Sequence, residues 1–78
     1  MKEVKIILKG TEKIAEFVNT MGKIGVNADL GQGNIKVDAS SMIGVMAMDT
    51  KNPITLSINE SDDVVEDVLK QIDAFLVK

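Results

Sequence analysis

The sequence predicts a single α/β (α+β) domain built on one sheet that helices cover on one side only. Three observations lead there. Four short stretches alternate apolar and polar residues, as half-buried strands do. Two longer stretches repeat apolar residues at helical spacing. The 78 residues are too few to close a second core. Strands with one apolar face and helices with one apolar stripe satisfy each other when the stripes lie on that face, leaving the other to water. The pairing is antiparallel or mixed on this reading.

The first strand is expected over residues 2–8 (KEVKIIL), with Val4, Ile6 and Leu8 on one face. Thr11 then caps a helix whose apolar residues Ile14, Phe17, Val18 and Met21 fall at i, i+3, i+4 and i+7, and Gly22 with Gly25 marks its exit. Residues 26–30 and 35–39 alternate on either side of a turn, Gly31-Gln32-Gly33-Asn34, which describes a β-hairpin. A polar connector over residues 49–53 leads to a fourth strand with Ile54, Leu56 and Ile58 on its buried face and Pro53 at its start. Ser61 caps the last helix, with Asp62 and Asp63 in the first turn at the positive end of the helix dipole. Val64, Val65, Val68, Leu69, Ile72, Phe75 and Leu76 carry its apolar stripe to the end of the chain, where Lys78 meets the negative end.

Composition excludes several kinds of chemistry. The chain has no cysteine and no histidine, so thiolate chemistry, disulfides and the usual transition-metal ligands are absent, and with them the imidazole most used for proton transfer at neutral pH. This argues against an enzyme and against a cofactor or metal. All nine cations are lysine against twelve carboxylates, giving a net charge of −3, and there is no tryptophan or tyrosine. Without arginine forks or stacking rings a nucleic-acid partner is not expected. No apolar run reaches the roughly 18–20 residues of a membrane span. A cytoplasmic monomer is the expectation.

Residues 38–48, DASSMIGVMAM, are the least ordinary run. As a strand both faces would be apolar. As a short helix, Ser40 or Ser41 caps it, Met42, Val45 and Met46 form one patch with Ile43 near its edge, and Gly44 permits close approach to a neighbour. About two turns cannot bury all of these side chains. Methionine is flexible and polarizable, which suits both core filling and surfaces that adapt to a protein partner.

Here the residues carry a resemblance. Residues 41–48, SMIGVMAM, resemble the Ser-Ile-Met-Gly-Leu/Val-Met-Ser-Leu segment of the HPr family, the small phosphocarrier proteins of the bacterial phosphoenolpyruvate:sugar phosphotransferase system. Gly44, Val45 and Met46 coincide, and Met42-Ile43 is the family's pair in reversed order. The resemblance extends through residues 53–58 and the last helix, and back over residues 26–37. It implies an open-faced β-sandwich of order β-α-β-β-α-β-α, with a four-stranded antiparallel sheet covered on one face.

The resemblance implies that Ser41 stands at the family's regulatory serine, which in Gram-positive members a kinase phosphorylates for reading by a transcriptional regulator of catabolite repression. It also implies partner contacts at Met42, Ile43 and Met46. The family's Gly-X-His-Ala-Arg-Pro-Ala loop, which carries phosphate on histidine, has no counterpart. Residues 8–15 read LKGTEKIA, without histidine, arginine or proline. A regulatory, protein-binding relative of the phosphocarriers follows, with phosphotransferase-system enzymes, a serine kinase or a regulator of carbon metabolism as partners. A phosphocarrier using another residue, such as Thr11, and a degenerate domain without a switch are the alternatives.

Two weaker candidates end the reading. Gly31-Gln32-Gly33 opens no helix and belongs to a hairpin rather than a dinucleotide loop. Asp62, Asp63, Glu66 and Asp67 form an acidic face that is better explained by the helix dipole than by a cation.

Overall fold

The computed structural model describes residues 2–77. The elements run β1 (Lys2–Ile6), α1 (Thr11–Ile24), β2 (Ala28–Gln32), β3 (Ile35–Asp38), α2 (Met42–Met46), β4 (Ile54–Ile58) and α3 (Asp62–Gln71), followed by a 3₁₀ turn at Asp73–Phe75. The strands form one sheet in the order β1-β4-β2-β3, and every pairing is antiparallel.

The alternation in the sequence explains why β4 lies inside the sheet. Ile54, Leu56 and Ile58 are fully buried on one face, while Thr55 and Ser57 are half-buried on the other. Leu56 pairs with Val4 on one side and Leu30 on the other, which joins the buried faces of three strands into one floor. Ile14, Phe17, Val18 and Met21 of α1, and Val65 and Val68 of α3, are buried among the residues of that core. The rings of Phe17 and Phe75 meet edge to face, centroids 5.5 Å apart at 82°, and tie α1 to the C-terminal turn. Among the described residues no polar side chain is buried.

Four expectations are corrected. The cap of α1 is Gly10, at φ 92°, and the Thr11 side chain makes no capping bond. The helix starts one residue earlier than a threonine cap requires, because glycine reaches a φ that threonine avoids. Gly22 lies inside α1, and Gly25 alone ends it in the left-handed conformation. In the hairpin, Gly31 and Gln32 stay in β2, where Gly31 pairs with both Thr55 and Lys36. The turn shrinks to Gly33-Asn34, with positive φ at Gly33 alone, as a type II′ turn requires.

The fourth correction concerns the C-terminus. The helical period continues to Leu76, yet α3 ends at Gln71 and Ile72 takes φ −108° and ψ 16°. The last residues bond instead to the outer edge of β1. Ile7 N–H donates to Phe75 O at 2.9 Å, Val77 N–H donates to Lys5 O at 3.0 Å, and Ile6 bridges Leu76. An edge strand offers unpaired amides and carbonyls, and satisfying them outweighs another helical turn. Ser61 does occupy the cap position of α3, without a side-chain bond. The role expected of Lys78 lies outside the described residues.

Candidate functional site

The segment after β3 is built by short-range hydrogen bonds. Asp38 Oδ1 accepts from Ser40 N–H at 2.8 Å and from Ser40 Oγ at 2.6 Å, an Asx turn that reverses the chain at the sheet edge. The Ser40 hydroxyl first, and its N–H second, hold the Asp38 carboxyl below its ordinary 3.8. Ser41 N–H donates to Asp38 O at 3.0 Å.

Ser41 then stands in extended conformation at the cap of α2, where its Oγ accepts from Gly44 N–H at 3.2 Å. This settles the choice between strand and helix, and between Ser40 and Ser41 as the cap. Ser40 has its side chain committed to Asp38, whereas Ser41 faces the open end of the helix.

Packing sorts the apolar residues of α2 differently from the single patch expected. Val45 is fully buried, Met42 is half-buried against the core, and Met46 is 55% exposed. Ile43 is 86% exposed. The inward face therefore centres on Val45, with Met42 beside it. Met46 lies outside that face because Gly44 brings the helix hard against β3: a Cβ on Gly44 would meet Val37 Cβ at 2.9 Å. Met48, beyond the helix, goes into the core, so burial and exposure are divided among the methionines of this run.

One supporting residue gives no periodic signal in the sequence. The Gln32 side chain binds the backbone of Asp49 in both directions, Nε2 donating to Asp49 O at 2.8 Å and Asp49 N–H donating to Oε1 at 2.9 Å. This clasp fixes the exit of α2 on the end of β2. Its only trace in the sequence is a long amide next to a turn.

The other candidate positions gather no site. Thr11 is exposed at the start of α1 with Glu12 beside it in the first turn, where a carboxylate opposes an incoming anion. Among the described residues no three carboxylates come together to hold a metal ion, and no helix is long and apolar enough to cross a membrane.

A four-stranded antiparallel sheet with one bare face, three helices on the other, and a short capped helix following the hairpin define an open-faced α/β sandwich of the phosphocarrier type. No protein-family model matches the chain, and no curated protein matches it. Solved structures do. HPr-C-His from Thermoanaerobacter tengcongensis superposes with a TM-score of 0.71 at 28% identity, covering 95% of this chain and 93% of that one. Crh, the catabolite repression containing protein of Bacillus subtilis, described as a dimer with a swapped domain, shares the fold. Its TM-score is 0.62 at 19% identity, covering 94% of this chain and 88% of that one. The chain is similar to the HPr family in fold.

Proposed function

We propose that this chain is a regulatory, protein-binding member of the HPr family, in the bacterial cytoplasm, that does not carry phosphate on histidine and is not an enzyme. It docks on protein partners through α2, with Ile43, Met46 and the open side of Met42 as contacts, and Ser41 is its phosphorylation site. The observation that carries this reading is the exposure of Ile43 and Met46, 86% and 55%, within five residues of a capping serine. Large apolar side chains held outside a small core form the adaptable kind of contact that partners desolvate. Phosphoramidate transfer needs an imidazole nitrogen as nucleophile and leaving group, and the chain contains no histidine.

Phosphorylation would act locally. Ser41 Oγ attacks the γ-phosphorus of ATP, the bond to ADP breaks, and the hydroxyl proton passes to the kinase. The product carries about −1.5 to −2 charge two residues from Ile43. A partner that buries Ile43 and Met46 then meets either a small hydroxyl or a strongly hydrated dianion, and reads the difference.

Treatment with the family's serine kinase and ATP, followed by peptide mass spectrometry, tests the switch. One phosphate on Ser41, absent in Ser41→Ala, is expected; a folded chain that takes none, or takes it on Ser40, overturns it. Docking is tested with Ile43→Asp and Met46→Lys, each expected to lower affinity for the phosphotransferase-system enzyme or regulator that binds the unmodified chain. Phosphoenolpyruvate and the first enzyme of the system are expected to leave the chain unlabelled; turnover of label would favour a phosphocarrier that uses another residue.

A further inference from the structure

The uncovered face of the sheet carries its charges in two ladders. Read across β1, β4, β2 and β3, one ladder is Glu3, Ser57, Asp29 and Asp38, and another, two residues along each strand, is Lys5, Thr55, Gly31 and Lys36. The first holds three carboxylates and no cation; the second holds two lysines and no carboxylate. Between the outer strands lie Ser57, Thr55, Gly31 and Asp29, and the small side chains of the first three leave a shallow groove of about 540 Å³ with Asp29 in its lining.

We propose that this face pairs with the same face of a second copy of the chain. A two-fold axis running across the strands, midway between the ladders, places each cationic ladder over the anionic ladder of the other copy. Lys5 then faces the second copy's Glu3, Lys36 faces the second copy's Asp38, and both contacts occur twice. This is the isologous arrangement a two-fold interface requires. A uniformly acidic or basic partner would gain from one ladder and be repelled by the other. The pattern is complementary to itself.

Within one copy the charges are incompletely matched. Asp29 and Asp38 are direct cross-strand neighbours, a like-charge pair that costs stability, and among the described residues Lys36 pairs only with Asp29, at 3.7 Å. Lys5 Nζ donates to Thr55 Oγ1 at 2.6 Å and, among the described residues, has no carboxylate within ion-pair distance. A second copy supplies what each lacks. The contact spans about 14 Å across the strands and 7 Å along them, well below the area of a stable dimer, so the association is weak and driven by charge. It departs from the monomer expected from the sequence.

Amide chemical shifts followed from low concentration to about 1 mM, at low salt and again at about 0.3 M, test the pairing. Concentration-dependent shifts at Glu3, Lys5, Asp29, Lys36, Asp38, Thr55 and Ser57, suppressed by salt, are expected. Lys5→Glu should weaken association about tenfold, and Glu3→Lys with Lys5→Glu should restore it, because the exchanged ladders remain self-complementary. A chain that stays monomeric, shifts confined to α2, or a Lys5→Glu variant that associates as well as the original would each overturn the proposal.

Discussion

A methyl group added at Gly44 would stand 2.9 Å from Val37 Cβ and 3.1 Å from Ser41 Oγ, whereas one added at Gly22 would meet nothing within 4 Å. The two substitutions to alanine should therefore move stability in opposite directions. Gly22→Ala, inside α1 and at an ordinary φ, should stabilise by about 0.5–1 kcal/mol by restricting the unfolded chain. Gly44→Ala gains the same propensity but forces α2 away from β3, a net loss of about 1–2 kcal/mol. Urea unfolding of the two variants checks the sign of each. The need for close approach at Gly44 was legible as a glycine inside an apolar run. The Asp38 turn was not, because alternation tells which way a residue faces and not what its carboxylate accepts. That turn has a pH signature. The folded pKa of Asp38 lies below its unfolded 3.8, so the stability it contributes is complete above the unfolded value and is lost as pH falls through the lower folded one. Ser40→Ala removes the larger of the two bonds and should move the Asp38 carboxyl titration, followed by NMR, upward. An unchanged midpoint would count against the hydroxyl as the main cause.

At the scale of elements, α2 has separable faces. Ile43→Asp and Met46→Lys should leave unfolding within about 0.5 kcal/mol of the parent, since both side chains lie largely in water. Val45→Ala, at a fully buried site, should cost about 1.5–3 kcal/mol. Thermal or urea unfolding distinguishes them, and a large loss for Ile43→Asp would place that side chain in the core instead. A helix of five residues gives the period too little length to show this division: Met42, Val45 and Met46 share a face by spacing alone, and the contact of Gly44 with Val37 decides how that face is tilted. The C-terminus misled for a related reason. Ile72, Phe75 and Leu76 keep helical spacing, but their partners are the Phe17 ring and the edge of β1, and those depend on tertiary geometry. A double-mutant cycle of Phe17→Leu and Phe75→Leu should give a coupling of about 0.5–1.5 kcal/mol from the edge-to-face contact.

For the whole molecule, the periods identify four strands and the face each one buries, but they cannot order them, because β4 buries the same Ile54, Leu56 and Ile58 whichever neighbours it has. The order β1-β4-β2-β3 makes the first strand pair with one about fifty residues later, as Lys5 does with Thr55, while β2 pairs locally with β3 and at intermediate range with β4. Loop closure grows costlier with the length enclosed, by about 0.6 kcal/mol per doubling, so the β2–β3 hairpin and its junction with β4 should form before β1 docks. The bonds of the C-terminal residues follow the same logic: Phe75 and Val77 can close on β1 only after β1 is in place. In stopped-flow folding, Leu30→Ala at the β2–β4 junction should mainly slow folding, and Ile6→Val in β1 should mainly speed unfolding. Both side chains are fully buried, so each substitution perturbs stability enough to be read. If Ile6→Val slowed folding and left unfolding unchanged, β1 would belong to the nucleus, and closure of the long loop would come first despite its cost.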